Sequence, residues 1–398
     1  MIEVDEALRL VLAATPVLGS ETIPLAQALD RTLAAPACAA HALPSFTQSA
    51  VDGYAVAHRD IVETPCTLPL VHHIAAMPRD AAATLAPGTA ARILTGGLLP
   101  QDADTVVRQE RTRRDGERIH ILEPVARGTD VRKAGEEMAA GREIAAAGSL
   151  LTPGLIGALA VAGLVRVSVM RRPRVVVLVT GDEVAPHGTP LRLGQVPDAN
   201  GPLVCAWLQR WGIAAERFIH LPDDPEVVRA ELDRALTDAD LVLTTGGVSV
   251  GDHDYIPATA EALGADRVLW KVAQKPGMPL FVARRGGALL FGLPGNPASV
   301  MVNLMVYVRA ALDAMCGLSP ASRWRPALAP HDLKRETQKT FWLRAVLDYR
   351  EDGRALLRPL RGQGSHMLGN LAKANALARV PSLEEATDAH TLLWTPIG

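Results

Sequence analysis

Cysteine is scarce and scattered: the chain has four, Cys38, Cys66, Cys205 and Cys316, with no paired spacing among them. A zinc cluster or a redox dithiol needs closely spaced pairs, so neither is signalled, and isolated thiols fit a reducing cytosol. Long hydrophobic runs are missing as well. The closest approach, Leu155 to Val165, falls short of the roughly 18 apolar residues that span a bilayer, and the acidic start Met1-Ile-Glu-Val-Asp-Glu lacks the basic region of a signal peptide. Neither sign of charge is in excess. With 41 basic and 43 acidic residues the net charge is −2, which gives no pull towards nucleic acid or a membrane surface. A cytoplasmic globular protein is expected, and 398 residues at about 150 per domain suggest about two to four domains.

What is present is organised around Leu241-Val-Leu-Thr-Thr-Gly-Gly-Val-Ser-Val-Gly-Asp-His-Asp-Tyr255. An apolar run ends in Thr244-Thr245-Gly246-Gly247, and a polar, acidic turn then leads into a helix beginning near Tyr255. This grammar reads as a buried strand, a glycine turn and a helix start, the place where an α/β sheet presents ligand sites through backbone N–H groups and a helix dipole. Asp252 and Asp254 would repel a bare phosphate, so a bridging divalent cation is the natural way for both to share such a site. The same stretch also reads as an ordinary glycine turn before an N-capped helix.

Ahead of this stretch the chain opens with an amphipathic helix carrying Val4, Ala7, Leu8, Val11 and Leu12, and a second helical stretch is expected over Leu25 to Leu33. Asp52-Gly53 then precedes a short strand, either as a structural turn or as a surface-held carboxylate. From about 57 to 148 turn signals dominate, and Ala91 to Leu94, Thr105 to Arg108 and Arg118 to Leu122 read as strands of a β-rich domain. Thr95-Gly96-Gly97 follows one of them and repeats the Thr-Gly-Gly grammar. The charged loop with Arg132, Lys133, Glu136 and Glu137 is either solvated or functional.

From Pro153 a helix and a strand, Val165 to Met170, lead into strict alternation. Arg174 to Val179, Glu216 to Leu221 and Leu241 to Leu243 are strands, with helices at Gly201 to Trp211 and Glu226 to Leu236 between them. Such alternation implies a parallel sheet whose ligand face is its carboxyl edge. Asp182, Glu183, Asp223, Asp224, Asp252 and Asp254 would then converge on one edge, as in a cation-assisted site. Lys271 and Lys275, four apart on a strand-like run, should share one face. Phe291-Gly-Leu-Pro-Gly-Asn-Pro297 stiffens a loop and opens a helix over Ser299 to Met315, with Pro297 suited to its first turn. After Pro320 alternating runs and glycines suggest a small all-β domain, with Gly362-Gln-Gly-Ser-His366 as a polar turn.

Seven motifs in this order resemble a known family: Ser49-Ala-Val-Asp-Gly-Tyr-Ala, Ile93-Leu-Thr-Gly-Gly, Thr180-Gly-Asp-Glu, Thr245-Gly-Gly-Val-Ser-Val-Gly-Asp-His-Asp-Tyr, Lys275-Pro-Gly-Met-Pro, Gly292-Leu-Pro-Gly-Asn-Pro and Gln363-Gly-Ser. They look like the MoeA-type molybdopterin molybdotransferases, related to the gephyrin E domain, over nearly the whole chain. The resemblance implies a multidomain α/β plus β chain. Its central doubly wound parallel domain would span 174–321, with a β-rich domain at 52–148, a discontinuous N-terminal dimerisation domain at 1–51 and 149–173, and a small β-barrel-like domain at 322–398.

The implied reaction inserts molybdate into the dithiolene of adenylylated molybdopterin and releases AMP with Mg²⁺ present. The implied assembly is a homodimer whose cleft is shared between subunits, which would bring Asp52 and Thr95 to the partner's sheet; a molybdopterin adenylyltransferase would be the pterin donor. By resemblance Asp182, Glu183, Asp224 and Asp254 handle Mg²⁺ and the pyrophosphate, and Lys271 and Lys275 hold anionic charge. Thr180, Gly181, Gly246, Gly247, Ser249, Asn296, Pro294 and Pro297 would line the pterin site, and Ser299, Arg344 and Ser365 would donate to the oxyanion. The chain departs from the family pattern at Glu137, where an Asp is usual, at Met278, where some relatives have Lys, and at Gln48 in place of Asn. An adenylyl-transferring pterin protein and a non-catalytic carrier or scaffold are the competing readings.

Overall fold

The computed structural model describes residues 1–248, 255–319, 323–329, 333, 338–384 and 391–397. They fall into two compact units, Thr22–Val169 on one hand and Met1–Glu21 with Met170–Gly398 on the other.

In the Thr22–Val169 unit, a six-stranded sheet runs in the order Thr105–Arg108, Gly53–Val56, Ala90–Ile93, Cys66–Ile74, Arg118–Ile121, Thr112–Asp115. Its buried faces carry Tyr54, Val56, Val107, Ile119 and Ile121 on one side and Ala55, Ile74, Ala91 and Ile93 on the other. Alternation along each strand sends neighbours to opposite faces, so both sides are covered by apolar clusters. A separate core joins Leu25, Ala28 and Leu33 to Leu151, Leu159, Val167 and Val169. The helix expected over Leu25 to Leu33 is not formed. Only Leu25–Gln27 makes a 3-10 turn, and Asp30, in the left-handed region at φ 58°, breaks the chain there. Leu25, Ala28 and Leu33 are buried nonetheless, in one cluster with Leu159 of the Pro153–Val161 helix, while Leu29 is 47% exposed.

The second unit is built on another six-stranded sheet: Ala215–Leu221, Val175–Thr180, Leu241–Thr245, Ala288–Leu293, Phe281–Arg285, Asp266–Trp270. The first four strands are mutually parallel and the last two antiparallel, so the expected parallel sheet carries an antiparallel edge. Val175–Thr180, Leu241–Thr245 and Ala288–Leu293 are buried throughout, as strands covered on both faces must be. The Pro297–Met315 helix is long and apolar enough to cross a membrane, but 89% of its apolar window is buried inside the protein. It is a core helix, packed with Val175, Val177, Leu243 and Phe291 and with the buried face of the Val4–Ala14 helix. Downstream, Thr340–Tyr349, Ala355–Pro359, Arg325–Leu328, Thr391–Pro396 and Ala376–Val380 pair in turn, and the last pairs back with the first, closing a small barrel.

The run containing Lys271 and Lys275 is not one strand. Asp266–Trp270 ends the sheet, Lys271 sits at φ 69°, and Gln274–Lys275 pairs instead with Thr340 and Phe341 of the barrel. The Gln274 side chain lies at this junction. Its Nε2 donates to Gly277 O (2.7 Å) and Asn303 Oδ1 (2.7 Å), while its Oε1 accepts from Tyr307 Oη (2.9 Å) and Trp342 Nε1 (2.8 Å). All four side chains are buried. Burial pushes the Tyr307 hydroxyl pKa far up, so it stays a neutral donor.

The entry to the sheet is tied by Asp240. Its carboxylate takes two hydrogen bonds of 2.7 Å from the Arg171 guanidinium and one of 2.8 Å from the Arg174 N–H. Burial alone would raise its pKa; the Arg171 bonds and the Arg174 N–H outweigh that and hold it below the usual carboxylate value. A group with a depressed folded pKa stabilises the fold above its unfolded pKa, near 4, and loses that contribution as pH falls through the folded value. We therefore expect Asp240→Asn to be less stable than the wild type at pH 7 in urea denaturation, with the gap narrowing below about pH 4. A gap that does not change with pH would show that the Asp240 charge contributes nothing.

Candidate functional site

The carboxyl ends of the parallel strands converge on a cavity of about 620 Å³. Its floor is the turn after Leu241–Thr245. Gly246 (φ 87°) and Gly247 (φ 66°) adopt backbone that L side chains avoid. A Cβ on Gly246 would stand 2.8 Å from Thr180 Oγ1 and 2.9 Å from Thr180 O, so glycine is needed for the two strand ends to touch. Thr180 Oγ1 donates across that contact to Thr245 O (3.2 Å). The Gly246 N–H is not left for an anion: it donates to Leu293 O at 3.0 Å and ties the turn to the neighbouring strand.

Glu183 rises at the next strand end. Its carboxylate folds over Gly181, where a Cβ would meet Oε2 at 2.7 Å. Beside it Asp182 and Asp223 clasp each other's turns, Asp182 N–H donating to Asp223 Oδ2 (3.3 Å) and Asp223 N–H to Asp182 Oδ1 (3.1 Å). Two acidic turns read separately in the sequence are thus one structure. Asp224 has a different occupation: its Oδ1 accepts from the N–H groups of Glu226 (2.9 Å) and Val227 (3.2 Å), capping the Pro225–Asp238 helix. Asp252, Asp254 and Ser249 lie outside the described residues. Among the described residues no group of three or more His, Cys, Asp or Glu side chains is placed to hold a metal ion.

The opposite wall is the loop Pro294, Gly295, Asn296 and Pro297, which opens the Pro297–Asn303 turn of the core helix. Asn296 Nδ2 donates to Ser365 Oγ (3.3 Å), and Ala298 N–H to Ser365 O (3.3 Å), so the barrel's Gln363-Gly-Ser-His turn sits against this loop and brings His366 to the cavity. Arg344 builds that turn. Its guanidinium donates to the carbonyls of Gly362 (2.8 Å), Gly364 (3.1 Å) and Met367 (3.0 Å), and it is 2% exposed. Buried and spent on carbonyls, Arg344 shapes the rim instead of lining the cavity. Ser299 is likewise buried in the first helical turn.

Lys271 and Lys275 do not line the cavity, and each ammonium is placed by an aromatic face: Lys271 Nζ lies 5.0 Å from the Trp270 ring centroid and Lys275 Nζ 5.1 Å from that of Phe341. In the Thr22–Val169 unit Asp52 and Thr95 meet. Asp52 Oδ1 accepts from Thr95 N–H (2.7 Å) and Thr95 Oγ1 (2.8 Å). The Thr95 N–H first, and then its hydroxyl, hold the exposed Asp52 carboxyl below its ordinary pKa. Glu137, exposed, donates its own N–H to Leu43 O.

His366 belongs to the polar turn already read in the sequence, whereas two polar cavity residues, Asp198 and Asn200, were missed there. Asp198 accepts from Gly201 N–H (2.9 Å) and pairs with His220 Nε2 (3.0 Å). Asn200 Nδ2 donates to Gly295 O (2.7 Å). The signal for these two was a polar Asp-Ala-Asn just before an apolar helix, which reads equally well as a plain helix start.

An open α/β sheet with a polar cavity at its strand ends, abutted by a small barrel, defines a ligand-binding enzyme domain of the molybdopterin-binding class. Residues 176–314 match the family model described as a probable molybdopterin binding domain, residues 2–163 the MoeA N-terminal region (domains I and II), and residues 326–389 the MoeA C-terminal region (domain IV). The molybdopterin molybdenumtransferase 2 of Mycobacterium tuberculosis is 35% identical over 94% of this chain and 94% of its own length. The molybdopterin molybdenumtransferase of Nostoc sp. is 36% identical over 91% and 85%, and that of Bacillus subtilis 33% over 96% and 90%. A crystal structure of a Pyrococcus molybdopterin biosynthesis MoeA protein superposes with a TM-score of 0.82 at 27% identity, covering 100% of this chain and 99% of its own. The chain belongs to the MoeA family of molybdopterin molybdenumtransferases, which are transferases of molybdenum cofactor biosynthesis.

Because the Thr95 N–H survives side-chain replacement, Thr95→Val should raise the Asp52 pKa only part of the way to its ordinary value. Carboxylate-resolved NMR titration measures this; an unchanged midpoint would remove the hydroxyl from the account.

Proposed function

We propose that this chain inserts molybdate into the dithiolene of adenylylated molybdopterin and releases AMP, in a Mg²⁺-dependent reaction. The observation that carries the reading is the cavity at the strand ends. At about 620 Å³ it has room for a pterin nucleotide, and it sets apolar walls from Val179, Val196, Pro279 and Pro294 beside polar groups from Thr180, Glu183, Asp198 and Asn200. Glu183 and Asp198 at the cavity, with Asp182 beside Glu183, are hard oxygen donors of the kind Mg²⁺ takes. Two carboxylates suffice, since that ion keeps water and accepts phosphate oxygens. Asp182 and Glu183 would hold it, and Asp254 is included on sequence grounds. When bound, the ion neutralises charge on the phosphoanhydride as it breaks.

The chain's own part is positioning and charge. Thr180, Gly181, Gly246, Gly247 and the Pro294–Pro297 loop shape the ring site, and Ser249 belongs to the same turn in sequence. Lys271 and Lys275, which lie outside the cavity lining, would offset negative charge that develops on phosphate or molybdate. No side-chain nucleophile is required, because the pterin thiolates take up the metal while a water or molybdate oxygen attacks phosphorus and AMP departs. Asp52 and Thr95 complete the cleft from the second subunit of a homodimer. Asp224 acts by holding the turn that carries Asp223, and Arg344 and Ser365 by holding the rim. The protein works in the cytoplasm and receives its pterin from a molybdopterin adenylyltransferase.

Glu183→Gln is expected to abolish AMP release from adenylylated molybdopterin while the thermal unfolding midpoint changes little; a fully active variant would remove Glu183 from the mechanism. If the cleft is shared, mixing inactive Asp52→Ala and Asp254→Ala chains should restore about a quarter to a half of the activity in the purified heterodimer, where one of two clefts is intact. No recovery in confirmed heterodimers would place the whole site within one subunit.

A further inference from the structure

Asn200 lines the cavity, is 9% exposed, and has one end of its amide committed. Its Nδ2 donates to Gly295 O at 2.7 Å, and turning the amide over would set two carbonyl oxygens against each other at that distance, so the orientation follows from the contact. The other end is not satisfied: Asn200 Oδ1 is buried and has no hydrogen-bond partner among the described residues. Thr245, on the cavity floor, has a buried Oγ1 in the same condition. Buried acceptors are almost always paired, and one left open in a cavity wall marks where a ligand supplies the donor.

We infer that Asn200 Oδ1 is the group by which this site recognises a heterocycle bearing an exocyclic amine, either the pterin amine or the adenine amine of the nucleotide. The inference rests on the reading of the cavity as a pterin-nucleotide site and adds a residue that selects between rings. Selection works in two ways. An amine donates to Oδ1 and replaces the hydrogen bond that the carbonyl lacks. An oxo group at the same ring position places two acceptors face to face, and the fixed Gly295 contact prevents Asn200 from turning its Nδ2 inwards to accommodate it. A purely apolar wall would accept both rings. Asn200 thereby also couples ring binding to the Pro294–Pro297 loop, since the amide that reads the ring is the one that holds Gly295.

Two ligand pairs differ by this one group and separate its two sources: pterin-6-carboxylate against lumazine-6-carboxylate, and AMP against IMP. Equilibrium binding of all four to the full-length protein should show at least a ~10-fold preference for the amine in one pair, and the pair that shows it identifies the ring seated at Asn200. Asn200→Ala should bring that ratio within about twofold of unity. The wild-type ratios need no variant, and they decide the matter if the alanine variant does not fold. Equal affinity for amine and oxo rings in the wild type, or an unchanged preference in Asn200→Ala, would each overturn the inference while leaving the cavity reading standing. Binding of none of the four ligands would remove both.

Discussion

The architecture of the second unit depends on one side chain that is satisfied at every position. Gln274 has two donors and one carbonyl oxygen, and it spends them on Gly277, Asn303, Tyr307 and Trp342. Each bond is worth only about 1 kcal/mol net, but a buried polar group without its partner costs more than the bond returns. The network is therefore close to all-or-none. It links the lysine turn, the core helix and the barrel, adding to the strand pairing of Gln274–Lys275 with Thr340 and Phe341 and to the contact of Ala298 with Ser365. The core helix takes part through Asn303 and Tyr307, four residues apart on one face, at the place where Leu304–Val308 is wound as a π-helix.

From that junction the rim of the cavity follows. The barrel strand that carries Trp342 carries Arg344 two residues on, on the same face, and Arg344 gathers three carbonyls of the turn that bears Ser365 and His366. On the other side the glycine turn lets the Thr180 and Thr245 strand ends touch, and the Asp182–Asp223 clasp ties the next pair of turns. Several groups that look ready for a ligand in isolation are thus consumed by the scaffold: the Gly246 N–H, the Asp224 carboxylate and the Arg344 guanidinium. What the cavity keeps for chemistry is Glu183, the Asn200 carbonyl and the threonine floor, while Asp198 is held by Gly201 and His220.

The alternation of strands and helices from Val175 to Leu243 was plain in the sequence, because strands covered on both faces must be almost continuously apolar and their connections must be amphipathic; the strands Phe281–Arg285 and Ala288–Leu293 were not read there. The acidic strand ends were legible for the same reason, as polar punctuation after apolar runs. Periodicity failed where the backbone does something a pattern does not encode. The Leu25 to Leu33 stretch buries Leu25, Ala28 and Leu33 as a helix would but leaves Leu29 exposed, because Asp30 at positive φ turns it into an irregular chain. Lys271 and Lys275 look like neighbours on one strand until Lys271, also at positive φ, ends the sheet and passes Gln274–Lys275 to the barrel.

The sequence by itself determined the kind of fold and the sheet edge at which the cavity opens. Both follow from local hydrophobic period and from glycines at strand ends, which act within a few residues. Tertiary structure alone decided which polar groups remain available there. Whether an arginine or an asparagine meets a ligand or a carbonyl depends on what lies opposite, and for Arg344, Asn200 and Gln274 those partners, apart from Gly277 at three residues from Gln274, are 18 to 95 residues away along the chain.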